Sequence, residues 1–183
     1  MIKLNPNQPA QESVEWFLPT GNVRLNGWQG GIIGSVAIND EYNLAGFPPL
    51  FATNALDGYL YIGSQTQITG KKVKGPLNRR SYDTPLIVFK HKIGPSISTP
   101  IFTDGYKLIT ASYNGVYLFN LSWEDAVPNA ADAVPTTQGD YYRLRVEQAG
   151  RFQPDVSFES TPVVWEGKVM ICGRDGWLHT LGA

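Results

Sequence analysis

Side chains able to do acid–base or nucleophilic chemistry are few here, and they are scattered. The chain of 183 residues has one cysteine, Cys172, and two histidines, His91 and His179. A single cysteine excludes an intrachain disulfide and any cysteine-rich metal site. Within Val169-Met170-Ile171-Cys172 the thiol is expected to be buried and to act as a small apolar group. His91 falls in a strand-like run, and His179 aligns with Tyr61 and Leu118 of two earlier repeats, a pattern that reads as core packing. Histidines at dissimilar repeat positions leave no basis for a His-built metal site. Asp104 and Asp175 stand at Asp-Gly turns, where turn geometry already accounts for them. No glycine-rich loop follows a strand and opens a helix, so nucleotide binding has no support. No catalytic residue, metal ligand or cofactor site is assigned.

Binding chemistry has better candidates. Lys71, Lys72, Lys74, Arg79 and Arg80 lie between Thr66 and Ser81 with no acid among them. The next polar stretch carries Glu124, Asp125, Asp132 and Asp140 with no base. The plain interpretation is two solvated loops. The sharper ones are a basic patch for an anionic protein partner, or loops of opposite sign that clasp one another. Trp28, in Asn26-Gly27-Trp28-Gln29-Gly30-Gly31, either plugs a junction or stacks on a sugar or peptide. Trp165 and Trp177 read as core and Trp16 as packing. A net charge of -1 removes any global attraction to nucleic acid or anionic membrane, so no nucleic-acid partner is expected. No stretch approaches the roughly 20 apolar residues of a membrane span, and the first residues lack the apolar core of a signal peptide.

These residues must be positioned by strands. With 42% hydrophobic and 17% charged residues, wholesale disorder is excluded. Aromatic content of 12%, with 19 glycines and 13 prolines, favours strands joined by many turns. The turns recur. Ser98-Thr99-Pro100 and Ser160-Thr161-Pro162 each open an apolar run, and each run meets a glycine, Gly105 or Gly167, five residues after the proline. A second run leads to Asn114-Gly115 or Asp175-Gly176, and a third closes the unit. A looser copy starts at Gly34-Ser35-Val36 and passes Asp57-Gly58, with Asn43–Pro49 as an insertion. Asn-Gly and Asp-Gly suit hairpin turns because they tolerate positive φ. Further strands at Val14–Leu18, Leu86–Lys90 and Tyr141–Val146 are expected to open the three units.

Four antiparallel strands per repeat define a β-propeller blade, which buries its two faces only against neighbours. The expected fold is all-β, in one partial propeller of three four-stranded antiparallel blades spanning 1–183, part of a seven- or eight-bladed ring or completed by other chains. The blades are placed at 14–64, 85–121 and 141–181, with long loops at 66–83 and 122–140 on one elaborated face. A twelve-stranded up-and-down barrel is the rival, but it leaves the Ser-Thr-Pro recurrence unexplained.

Residues Ser160 to Leu181, with their Ser-Thr-Pro-Val-Val start and Gly-Arg-Asp-Gly-Trp-Leu turn, resemble the repeat of pyrroloquinoline-quinone-type propellers. The likeness extends to 98–119 and, more loosely, to 34–64. It implies the ring. It argues against quinone chemistry, because the adjacent cysteine pair of those dehydrogenases is absent and only Thr69-Gly70-Lys71 echoes the family's docking motif. The function it implies is a non-enzymatic binding or scaffolding propeller in protein–protein assembly, at the cell surface or in the periplasm. The alternative is a fragment of a quinoprotein or carbohydrate-active enzyme whose active site lies in other blades.

Overall fold

The computed structural model describes residues 1–21, 24–25, 28–44, 46–75 and 79–182, with only the backbone of 24, 25, 28 and 29. The described residues form antiparallel sheets, and none of them is helical. Among them, no helix is long and apolar enough to cross a membrane. An N-terminal hairpin pairs β1 (Ile2–Leu4) with β2 (Val14–Phe17), and a two-residue ladder pairs β3 (Arg24–Leu25) with β4 (Trp28–Gln29).

Three larger sheets follow. The first is a meander of β5 (Ala37–Ile38), β6 (Leu50–Asn54), β7 (Tyr59–Lys74) and β8 (Ser81–Lys92). The second holds β9 (Ile101–Thr103), β10 (Lys107–Ser112), β11 (Gly115–Asp125), β12 (Val134–Pro135) and β13 (Tyr141–Phe152), in the spatial order β12-β13-β11-β10-β9. The third has three strands, β14 (Val163–Trp165), β15 (Lys168–Cys172) and β16 (Leu178–Leu181).

This pairing moves the expected unit boundaries. The strand at 86–90 does not open the second unit. As part of β8 it pairs with β7 and closes the first sheet, and β13 likewise closes the second on β11. Val14–Phe17 pairs with Ile2–Leu4 rather than with β5. The reason lies in the prolines. Between β8 and β9 the chain carries Pro95 and Pro100, and between β13 and β14 it carries Pro154 and Pro162. Each lacks the N–H a ladder needs, so the chain leaves one sheet there and starts the next.

The two long loops are also corrected. Most of 66–83 is the distal part of the β7–β8 ladder, which runs out to Lys74↔Ser81. In 122–140, β11 continues to Asp125, and Val134–Pro135 adds a short edge strand. Polar residues hid these strands because a ribbon beyond the sheet stack buries only part of one face, which demands little alternation.

Alternate residues of each sheet face opposite neighbours, as strand geometry requires. In β10, Leu108 joins the cluster shared with Leu50, Ala52, Leu60 and Ile62 of the first sheet, whereas Ile109 and Ala111 join the cluster with Phe158 and Ile171 of the third unit. On its other side the first sheet presents Phe51 to Trp16 and Leu18. Trp16 is buried and stacked on Phe51, with ring centroids 5.3 Å apart. The order is thus N-terminal hairpin, first sheet, second sheet, third sheet, with an apolar layer between each pair.

The Ser-Thr-Pro segments lie side by side at these junctions. The Ser35 N–H donates to Thr99 Oγ1 at 2.8 Å, and the Thr99 N–H donates to Thr161 Oγ1 at 3.2 Å. One repeat position thereby stitches all three units. Deeper in the first junction, buried Asn54 donates to Ser96 Oγ (3.1 Å) and the Ser98 carbonyl (3.0 Å) and accepts from Thr110 Oγ1 (2.9 Å).

Candidate functional site

Of the five predicted cations, Lys71, Lys72 and Lys74 stand on β7, and Arg79 and Arg80 in the turn before β8. The turn is closed by the Gly75 N–H donating to the Arg80 carbonyl at 2.8 Å. All five are exposed. The structure therefore brings them together on a stiff two-stranded arm rather than a loop. At the arm's far end, Tyr82 packs edge-on against Phe17, with centroids 6.3 Å apart, and Arg80 Nη1 donates to the Gln11 carbonyl at 2.9 Å, so the arm lies back against the N-terminal hairpin. Lys72 pairs with Asp83 across the ladder at 3.2 Å. Lys71, Lys74 and Arg79 make no ion pair among the described residues.

The clasp between loops of opposite sign is not what forms. Two of the acids in 122–140, Glu124 and Asp132, are instead met by arginines of their own sheet. Arg145 reaches Glu124 at 2.6 Å, and Arg143 lies 3.5 Å from Glu124. Arg143 Nε also sits 2.7 Å from Asp132, a close charge contact outside hydrogen-bond alignment. The hydrogen bond from Arg145, with the charge of Arg143 beside it, holds Glu124 below the usual carboxylate range. Cross-strand neighbours supply these partners, and a linear scan between 122 and 140 could not reach residues 143 and 145.

The insertion of the first repeat folds onto the β11–β13 ribbon. Phe47 stacks on Trp123 (centroids 5.9 Å, planes 6° apart) and packs against Tyr142 at 4.7 Å. Trp123 Nε1 donates to the Tyr106 hydroxyl. The elaborated ends of the first two sheets are thereby joined by aromatic packing.

Trp28 cannot be placed beside the cations. Its backbone pairs with Leu25, and its side chain lies outside the described residues, as do Asn26 and Gly27. Three other expectations are overturned. Trp165 and Trp177 are 67% and 72% exposed, and Cys172 is exposed. Their strands read as core, but the outer face of the third sheet has no neighbour among the described residues.

His179 packs against Phe158 and Phe152, and its Nε2 lies 3.0 Å from Asp175 Oδ2. Such a pair resembles an acid–base dyad. Its counterpart in the first sheet is Tyr61, whose hydroxyl donates to Asp57 at 2.6 Å. Both aspartates also accept the backbone N–H two residues on, from Tyr59 (3.2 Å) and Trp177 (3.1 Å). The shared arrangement is a turn lock. Partial burial works to raise Asp175, but the Trp177 N–H and the His179 ring outweigh it and hold the carboxyl low. Burial, then the hydrogen bond to Asp57, pushes the Tyr61 hydroxyl up.

Sequence reasoning missed one cavity. A cleft of about 710 Å³ opens between the second and third sheets, bordered by Tyr42, Asp104, Lys107, Trp165 and Glu166. Along the chain Asp104 reads as a turn residue and Trp165 as core, and only the stacking of the sheets brings them together. Among the described residues, no group of three or more His, Cys, Asp or Glu is placed to hold a metal ion. No protein-family model, curated protein or solved structure matches the chain.

Proposed function

We propose that the chain is a non-enzymatic binding or scaffolding unit for protein–protein assembly, built as consecutive blades of a pyrroloquinoline-quinone-type β-propeller. Support for the blades comes from three antiparallel sheets stacked face to face and stitched through residues 35, 99 and 161. The sequence resemblance carries a location at the cell surface or in the periplasm. The observation that carries the binding reading is the β7–β8 arm. Lys71 and Lys74 stand on the strand of a hydrogen-bonded ladder and Arg79 in the turn that ends it, all exposed, so a partner meets cations whose backbone is already fixed and pays only for ordering their side chains. Its partner is an anionic protein surface, oriented by charge more than held by it.

Reversal of the three cations in a Lys71→Glu, Lys74→Glu, Arg79→Glu variant is the test. The variant should melt with the parent, since exposed charges far from a core shift stability by about 0.5 kcal/mol or less. It should lose the partner that the parent captures at low salt, and the parent's capture should weaken toward physiological salt, where screening acts over about 8 Å. Identical captures by parent and variant would remove the arm as the binding surface.

A further inference from the structure

The two ends of the stack are complementary. Ladder registers identify equivalent positions in the three sheets: Ala37, Ala52 and Ile62 in the first; Ile101, Ile109 and Leu118 in the second; Val163, Met170 and Thr180 in the third. The next rung is Asn54 with Leu60, Ala111 with Val116, and Cys172 with Leu178. In the first two sheets these positions turn toward the following sheet, and Leu60, Ile62, Ile109 and Val116 are buried there. In the third sheet the same face is bare, with Val163 56% and Leu178 61% exposed and Cys172 open to solvent.

The opposite face of the first sheet is half covered. Positions equivalent to buried Phe102 and Leu108 are Ile38 and Phe51. Trp16 of the N-terminal hairpin covers Phe51, but Ile38 remains 57% and Val36 39% exposed, beside a hollow of about 220 Å³ bordered by Met1, Ile2 and Gln65. The hydroxyl stitch is open at the same two ends. Each unit's N–H donates to the hydroxyl of the unit after it, so the Thr161 N–H is the next donor in the series and Ser35 Oγ stands at the position of an acceptor.

From this we infer that the chain associates head to tail with a second copy of itself. Val163, Met170, Cys172 and Leu178 of one copy pack on Val36 and Ile38 of the next, and the Thr161 N–H donates to the next copy's Ser35 hydroxyl. On the part of the head that the N-terminal hairpin leaves open, around Val36 and Ile38, the contact repeats the internal sheet-to-sheet junction, which is why a copy fits where an unrelated partner would have to be shaped for it. Being heterologous, it closes into a ring or extends into a filament. This inference rests on the stacked-repeat part of the proposed function and not on the basic arm, so the charge-reversal test and the one below fail independently.

Sedimentation should show mass rising with concentration for the parent. A tail variant, Val163→Glu with Leu178→Glu, and a head variant, Val36→Glu with Ile38→Glu, should each be monomeric. Mixed together, they should form a 1:1 complex, because one retains its head and the other its tail. Thermal melts check that both variants fold, which the exposure of the four positions favours. The unaltered chain gives an independent reading: modification of Cys172 by a thiol reagent should slow as mass rises. A parent that stays monomeric up to about 1 mM, the weak limit of a measurable contact, would overturn the inference. So would variants that still assemble alone, folded variants that fail to combine, or an assembly whose Cys172 reacts as fast as the monomer's.

Discussion

At the scale of single residues, Tyr106 shows how a side chain is tuned by its surroundings. It follows the Asp104-Gly105 turn in a left-handed conformation, φ 54°, and buries its ring beside Trp123. Burial pushes its hydroxyl up to about 12, against the opposing effect of the hydrogen bond from Trp123. The unfolded chain releases this proton near the ordinary tyrosine pKa of about 10, so between those values it binds fewer protons than the folded chain. Stability therefore falls as pH rises through this window. Tyr106→Phe should lower stability at pH 7 by about 1 kcal/mol through the lost hydrogen bond and flatten the alkaline fall. Urea midpoints measured from pH 9 to 12 check this, and an equally steep fall in the variant would remove Tyr106 as its source.

Hairpins belong to the next scale. The β6–β7 and β15–β16 connections are the same turn: Ala55 N–H donates to the Tyr59 carbonyl and Gly173 N–H to the Trp177 carbonyl, with Gly58 and Gly176 at φ 91° and 83°. The Asn114-Gly115 pair differs from expectation. Its turn residues are Tyr113 and Asn114, and Gly115 opens β11 opposite Ser112. Gly115 needs its missing side chain for a second reason, since a Cβ there would lie 2.3 Å from the Phe152 carbonyl oxygen. At Gly176 a Cβ meets nothing within 4 Å, so only conformational strain opposes substitution. Gly176→Val should cost about 1–3 kcal/mol, and Gly115→Val should cost more because two strands must separate. Calorimetric melts of both variants test the order, and a reversed order would contradict the register of β11 with β13.

Across the whole molecule, what joins one sheet to another is apolar burial pinned by polar stitches. Asn54 is the most central stitch, buried to 1% exposure and bonded to residues of the segment before β9 and of β10. Asn54→Ala would leave the Thr110 hydroxyl and the Ser98 carbonyl with fewer partners in a dry junction. A loss of about 2–3 kcal/mol is expected, read as a lower urea midpoint with the secondary-structure spectrum intact. An unchanged midpoint would mean that apolar packing alone holds the two sheets together.

Much of this was legible along the chain, and the rest divides along physical lines. Strand class, hairpin positions and the recurrence of the Ser-Thr-Pro segments are properties of local backbone chemistry: prolines without donors, glycines at positive φ, apolar runs of strand length. These could be read from residues 34–181 without knowing any neighbour. The basic cluster was legible for the same reason, because Lys71 to Arg80 are close in sequence. Which sheet each strand joins was not, since a strand's period of two names its faces but not its partner. Nor was the exposure of Cys172, Trp165 or Leu178. Their strands have the composition of a core, and whether they form one depends on a covering sheet supplied from outside their own sequence. Tertiary structure alone decided that the acids at 124 and 132 meet Arg143 and Arg145 rather than the lysines, because ion pairs form across ladders, between residues that sequence distance keeps apart.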